Sequence, residues 1–279
     1  ASLRHYHIGQ NIDIQLRENM DHAKVLYNKG FYQQALKMLG KTKVVAQDTK
    51  HFTIALEVME FEKLIESEYI TRSIENRADE LTKEVNITAL KVTSAHQLSN
   101  LSLNLYSLFL KNGYARTAKE FDEVKTHFEQ NLPKVELSQL SFYEKLYYHQ
   151  AHVWFNKITQ NFPNAYKHAK AWVALFKEDQ AMAEKQPVLF IKGYRNLLAA
   201  LFQLQYYSQF CQVLGEVEAL SNNKLIVKDL NSEILIFKFL YISKINKYFM
   251  EGQFEKGIDL IPEILEKLKA YEGKIDPER

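Results

Sequence analysis

Apolar residues recur at helical spacing along most of the chain. Leu16, Met20, Ala23 and Tyr27 fall at i, i+4, i+7 and i+11, so they share one face of a helix. A turn signal ending at Gly30 follows, and the same period resumes beyond it. This stretch predicts a helix, a tight turn and a second helix.

The same arrangement repeats along the sequence. Turns are predicted near residues 30, 70, 113, 163, 206 and 252, which is a period of about 44 residues. We expect Asp48 and Thr49 to cap the third helix, and a break between Val85 and Leu98 to separate the second pair from the third. Two helices cannot cover their own apolar faces, so each pair must stack on its neighbours. The pattern therefore predicts about six antiparallel helix pairs in one domain spanning residues 1–279.

Composition agrees with an all-α protein. Only 9 glycines and 5 prolines occur in 279 residues, while residues that favour helices are abundant. Cys211 is the only cysteine, which excludes an intrachain disulfide. We expect a buried thiol and a cytoplasmic protein, with a periplasmic or secreted location left open.

Charge excludes some classes of partner. The net charge is only +2, and no basic stripe of the kind that binds nucleic acid is present. The most apolar stretch, Ile234 to Ile242, is interrupted by Lys238, so no membrane span is expected.

Three turns share a signature, in which a glycine is followed two residues later by a packing residue and five residues later by a small one. Gly30 begins the first copy, Gly113 the second and Gly252 the third. This signature resembles the turn and second helix of the tetratricopeptide repeat. The resemblance implies a right-handed α-solenoid, a TPR-like superhelix that binds protein in its concave groove.

The resemblance also implies that the first helix of each pair lines the concave surface. Carried across by spacing, ten polar residues become candidates for binding a partner: Arg17, Lys24, Asn28, Asn104, Ser107, Lys111, Lys192, Arg195, Asn196 and Asn246. The set contains cations and neutral polar side chains but no acid. We therefore expect a protein or peptide partner of acidic character, or one with a free carboxylate end.

Two functions follow from this interpretation. The first is a scaffold without catalytic activity that holds a peptide or partner protein in the groove. The alternative is a regulatory domain of a larger transcriptional or signalling protein that senses a peptide or small ligand. The apolar last helix and the tail from Lys274 to Pro277 predict that the native chain continues past Arg279. The sequence does not reveal an oligomeric state.

Other chemistry has weak support in the sequence. His149 and His152 lie three residues apart and form a candidate metal pair, but no Cys or carboxylate completes a ligand set nearby. Gly40-Lys41-Thr42 matches the end of a phosphate-binding loop but lacks its earlier glycine. We therefore expect no catalytic residue, no resident metal and no cofactor.

Overall fold

The computed structural model describes residues 12–68, 77–134 and 136–273, and the chain in these ranges is helical, with turns and no strand. The all-α class is thus confirmed. The chain divides into two compact units. Unit 1 comprises Ala1–Gln97 and Val135–Glu144, and unit 2 comprises Leu98–Lys134 and Lys145–Arg279.

Unit 1 is built on three helices of equal length. They are α1 (Ile12–Asn28), α2 (Tyr32–Asp48) and α3 (Phe52–Glu68). Helix α2 packs against both of the others. Unit 1 also contains the first part of α4 (Arg77–Asn112) and a short 3-10 helix (Leu137–Gln139).

Unit 2 begins with the second part of α4. Its other helices are α5 (Ala118–Asn131), α6 (Phe142–Ile158, from residue 145 on), α7 (Phe162–Glu178), α8 (Gln180–Lys185), α9 (Pro187–Gln203), α10 (Tyr207–Ser221), α11 (Leu230–Met250), α12 (Phe254–Asp259) and α13 (Ile261–Ala270). Helix α9 is central because it packs against α7, α10 and α11. From α7 to α13, each helix packs against the next one along the chain.

Close approach between α7 and α9 depends on one glycine. A Cβ atom at Gly193 would lie 3.1 Å from the indole ring of Trp172 and 3.3 Å from Val173. Both of these side chains are buried. The missing side chain lets the backbone of α9 approach α7 closely.

The core of unit 1 contains an ion cluster beside its apolar residues. The ammonium group of Lys43 lies 3.1 Å from Glu62 and 2.7 Å from Glu84, and Arg77 lies 3.5 Å from Glu62. Glu62 is almost fully buried, and burial raises its pKa although the two cations act in the opposite direction. Lys43 and Arg77 therefore offset part of the cost of burying this carboxylate.

Five helix ends reverse the chain in the same way. At each end one residue has a positive φ, and the next N–H donates to the carbonyl five positions earlier in the chain. The next helix begins two residues after the positive φ. The residues with positive φ are Gly30, Lys50, Gln160, Gln205 and Gly252.

Some predicted boundaries differ from the structure. The break expected between Val85 and Leu98 is wrong, because α4 runs without interruption from Arg77 to Asn112. No glycine or proline lies within this segment to end the helix. The regular period of 44 residues is therefore not kept at this point, and the turn expected near residue 70 lies outside the described residues.

The cap expected at Asp48 and Thr49 is also wrong. Asp48 ends α2, and the hydroxyl of Thr49 donates backward to the carbonyl of Val45. Lys50 then takes φ of 62°, which turns the chain into α3. Gly40-Lys41-Thr42 lies inside α2, so it forms no phosphate-binding loop. Cys211 is half-buried rather than buried.

No helix within the described ranges is both long and apolar enough to cross a membrane.

Two glycine substitutions are expected to change stability in opposite directions. Gly252 has φ of 68° and nothing near its added Cβ, so Gly252→Ala should cost about 1 kcal/mol through backbone strain alone. Gly215 lies inside α10 with open space around it, so Gly215→Ala should add about 1 kcal/mol of stability. Urea unfolding of both variants measures the two changes. If both variants changed the free energy of unfolding in the same direction, the proposed role of the turn at Gly252 would be contradicted.

Candidate functional site

The predicted residues of α9 differ in their exposure. Lys192 and Arg195 are exposed on the surface of unit 2. Asn196 is buried, and its amide nitrogen donates to the backbone carbonyl of Lys192 at 2.9 Å. Asn196 therefore belongs to the interior of unit 2 and does not offer its amide to a partner.

A row of rings and cations crosses four helices of unit 2. The rings of Phe109 on α4 and Trp154 on α6 have centroids 5.6 Å apart. The Lys157 ammonium group lies 4.6 Å from the Phe109 centroid and 5.1 Å from that of Trp154. On α9, the Arg195 guanidinium lies 5.3 Å from the centroid of Phe239 on α11. We call these five residues the cation–aromatic row.

The two cations of the row influence each other. Burial lowers the pKa of Lys157 to about 8, and the positive charge of Arg195 contributes to the shift. No carboxylate within the described residues lies in ion-pair range of either side chain. In the part of the chain that the structure describes, the strong partners of these two charges are aromatic faces. An anion placed beside them would remove the repulsion.

An apolar stripe lies on the neighbouring helix. Ile242, Ile245 and Phe249 occupy i, i+3 and i+7 of α11, and their exposed fractions are 47%, 40% and 58%. The Phe249 ring centroid lies 6.0 Å from that of Phe202 on α9, so the stripe borders α9. Asn246, another predicted residue, is half-buried on the same helix.

Three predicted residues lie at a separate cavity. Asn104, Ser107 and Lys111 of α4 line a space of about 410 Å³ that is closed on another side by α5. This cavity belongs to unit 2. The structure thus brings Asn104, Ser107 and Lys111 together in the lining of one cavity.

The remaining predicted residues lie on α1 of unit 1. Arg17, Lys24 and Asn28 are all exposed. The Arg17 guanidinium lies 3.1 Å from the Asp13 carboxylate one turn earlier. Exposed pairs of this kind contribute little to stability.

Three histidines form a cluster between α6 and α7. The Nδ1 atoms of His149 and His168 are 3.0 Å apart, and the His152 and His168 rings stack with centroids 4.2 Å apart. Nε2 of His152 is buried without a hydrogen-bond partner. Burial lowers the pKa values of His149 and His168 to about 4 and that of His152 to about 3.

The histidine cluster does not have the geometry of a metal site. Within the described ranges, no group of three or more His, Cys, Asp or Glu side chains is arranged to hold a metal ion. The positive charges of Lys145 and Lys167 also face the cluster and further lower the pKa of His149. Packing of neutral rings is the role that these contacts support.

Sequence reasoning missed two central residues. Lys157 is not among the ten predicted residues, because α6 contributes none of them. Lys157 follows Trp154 and Phe155 in the sequence, and a cation beside aromatic residues is itself a signal, because a buried charge requires a partner. His168 lies 19 positions from His149, so no local spacing connects the two histidines.

The Lys157 pKa should respond to the charge on Arg195. Arg195→Gln removes the like charge, so the Lys157 pKa should rise above 8, while burial keeps it below its ordinary 10.5. Titration of ¹³C-labelled lysine side chains by NMR measures this value. Lys192→Gln serves as the control, because it removes the same charge one turn earlier on α9. It should raise the Lys157 pKa less than Arg195→Gln does. A Lys157 pKa that does not change in Arg195→Gln would contradict the proximity of the two cations.

Stability should depend on pH through the histidine cluster. The folded pKa values lie below the ordinary 6.5, so folding favours the neutral rings. Their contribution is therefore fully present above pH 6.5 and is lost as pH falls toward 4 and 3. Urea unfolding across this range should show falling stability in acid, and the triple variant His149→Gln, His152→Gln, His168→Gln should show a weaker dependence.

NMR titration of the wild-type imidazoles tests the same claim without a variant. Three histidines that titrate near 6.5 would contradict it.

Comparison of the chain with protein-family models, with curated proteins and with solved structures finds no match.

Proposed function

We propose that this chain is a binding scaffold without catalytic activity, and that unit 2 binds an acidic segment of a partner protein or peptide. The observation that supports this most strongly is the pair Lys157 and Arg195. Both cations lie on aromatic rings, and within the described residues neither has a carboxylate in ion-pair range. A carboxylate from a partner would supply the missing counter-charge.

The surroundings of the pair suit a peptide. The apolar stripe of Ile242, Ile245 and Phe249 borders the helix that holds Arg195. Helix α9 contains Lys192 and Arg195 but no acidic residue. A partner helix with acidic residues on one face and apolar residues on the opposite face would pair with the cations and cover the apolar stripe. Lys192, Arg195 and Asn246 are the predicted residues that this binding mode uses.

The helix pairs are proposed to form a TPR-like repeat, a right-handed α-solenoid. The five shared turns and the packing of consecutive helices support this proposal. In this arrangement α4, α6, α9 and α11 are the first helices of successive pairs. The cation–aromatic row has one or two residues from each of them, as expected for a surface lined by first helices.

Charge reversal tests the proposal directly. The probe is a labelled helical peptide of about 15 residues, with Leu on one face and Glu on the other. The double variant Lys192→Glu, Arg195→Glu should weaken binding by at least about tenfold in fluorescence anisotropy, because it replaces attraction by repulsion. Raising salt from about 50 mM to about 500 mM should also weaken wild-type binding.

A matched control keeps the same change in net charge. Lys224 and Lys269 are exposed, the first after α10 and the second on α13. The variant Lys224→Glu, Lys269→Glu should bind the peptide as the wild type does. If both double variants lose affinity equally, or if a Lys-for-Glu version of the peptide binds as well, the proposed site is wrong.

A further inference from the structure

A second site is suggested by the cavity between α4 and α5. Its volume is about 410 Å³, which falls in the size range of small-molecule sites. The residues that line it all belong to unit 2, and none belongs to the cation–aromatic row. The cavity is therefore a feature independent of the proposed peptide surface.

One wall presents polar groups that the fold leaves unused. Asn104, Ser107 and Lys111 occupy i, i+3 and i+7, so they share one face of α4. Within the described residues, none of their side chains makes a hydrogen bond or ion pair. An amide, a hydroxyl and an ammonium group thus line the same space, and none of them is bonded to another described residue.

The floor of the cavity is apolar. Leu108, Ala115, Val124 and Ile158 line it, and Val124 and Ile158 are buried core residues. A ligand with an apolar middle would remove this surface from water. A purely ionic ligand such as phosphate would leave it uncovered.

Helix α5 contributes two acidic residues to the lining of the cavity. Glu120 is committed to the start of α5, because its carboxylate accepts from the backbone N–H groups of Arg116 and Thr117. The Glu123 carboxylate lies 3.9 Å from the ammonium group of the exposed Lys119, which is a long contact for an ion pair. Such a contact contributes little, so Glu123 can bind a cation at small cost. The cavity therefore offers a positive charge on one wall and a negative charge on the other.

We propose that this cavity binds a small zwitterion of dipeptide size. Its carboxylate pairs with Lys111, its ammonium group with Glu123, and its central amide with Asn104 and Ser107. Two residues in extended form span roughly 7 Å, which separates the two end charges. Apolar side chains of the ligand then cover Leu108 and Val124.

Calorimetric titration with leucyl-leucine, which has both ends free, tests the proposal. Wild-type protein should bind it, and either an acetylated amino end or an amidated carboxyl end should weaken binding by about tenfold. Lys111→Met should lose the preference for the free carboxylate, and Glu123→Gln the preference for the free amine. Lys119→Met, which alters a neighbour that does not line the cavity, should keep both preferences.

Two results would overturn the proposal. The first is no detectable heat with wild-type protein at about 5 mM dipeptide. The second is equal binding of the dipeptide blocked at both ends. Neither result bears on the acidic peptide surface, because the two sites share no residue and the charge-reversal variants leave the cavity intact.

Discussion

The structure depends on how five of its helices end. A single residue with positive φ, followed by an N–H that donates to the carbonyl five positions earlier, reverses the chain within three residues. Because the following helix starts two residues later, the two helices that such a turn joins lie close together. In unit 2 this close succession of helices occurs from α6 to α7, from α9 to α10 and from α11 to α12.

The succession explains why charges and rings meet across helices. The residues of the cation–aromatic row are separated by up to 130 positions between Phe109 and Phe239 (239 − 109). They come together in two groups, because Phe109 of α4 lies against Trp154 of α6 and Arg195 of α9 lies against Phe239 of α11. Lys157 is held among rings in this way, and burial lowers its pKa to about 8. Within the described residues no carboxylate lies in ion-pair range of Lys157 or Arg195, so an external anion would supply a counter-charge that the fold does not.

The sequence predicted the helices well and their connections less well. Helix period predicts turns near residues 30, 163, 206 and 252, and the structure has residues with positive φ close to these positions, at Gly30, Gln160, Gln205 and Gly252. Lys50, Gln160 and Gln205 adopt this φ without being glycine, so residue type does not reveal which position makes their turns. The uninterrupted α4 was missed because its apolar spacing weakens in the middle, although no residue there stops a helix.

The binding residues could be predicted from the sequence only where helical spacing correctly predicts which side chains are exposed. Arg195 and Lys192 are exposed as the pattern requires, whereas Asn196, the next residue, is buried. The role of Lys157 and the histidine contact to His168 depend on tertiary packing, which one sequence does not specify.

Methyl NMR of isoleucine-labelled protein tests the central claim most directly. On addition of the acidic helical peptide, the resonances of the exposed Ile242 and Ile245 should shift, while that of buried Ile54 in unit 1 should not. Shifts confined to unit 1, with Ile242 and Ile245 unchanged, would contradict the account.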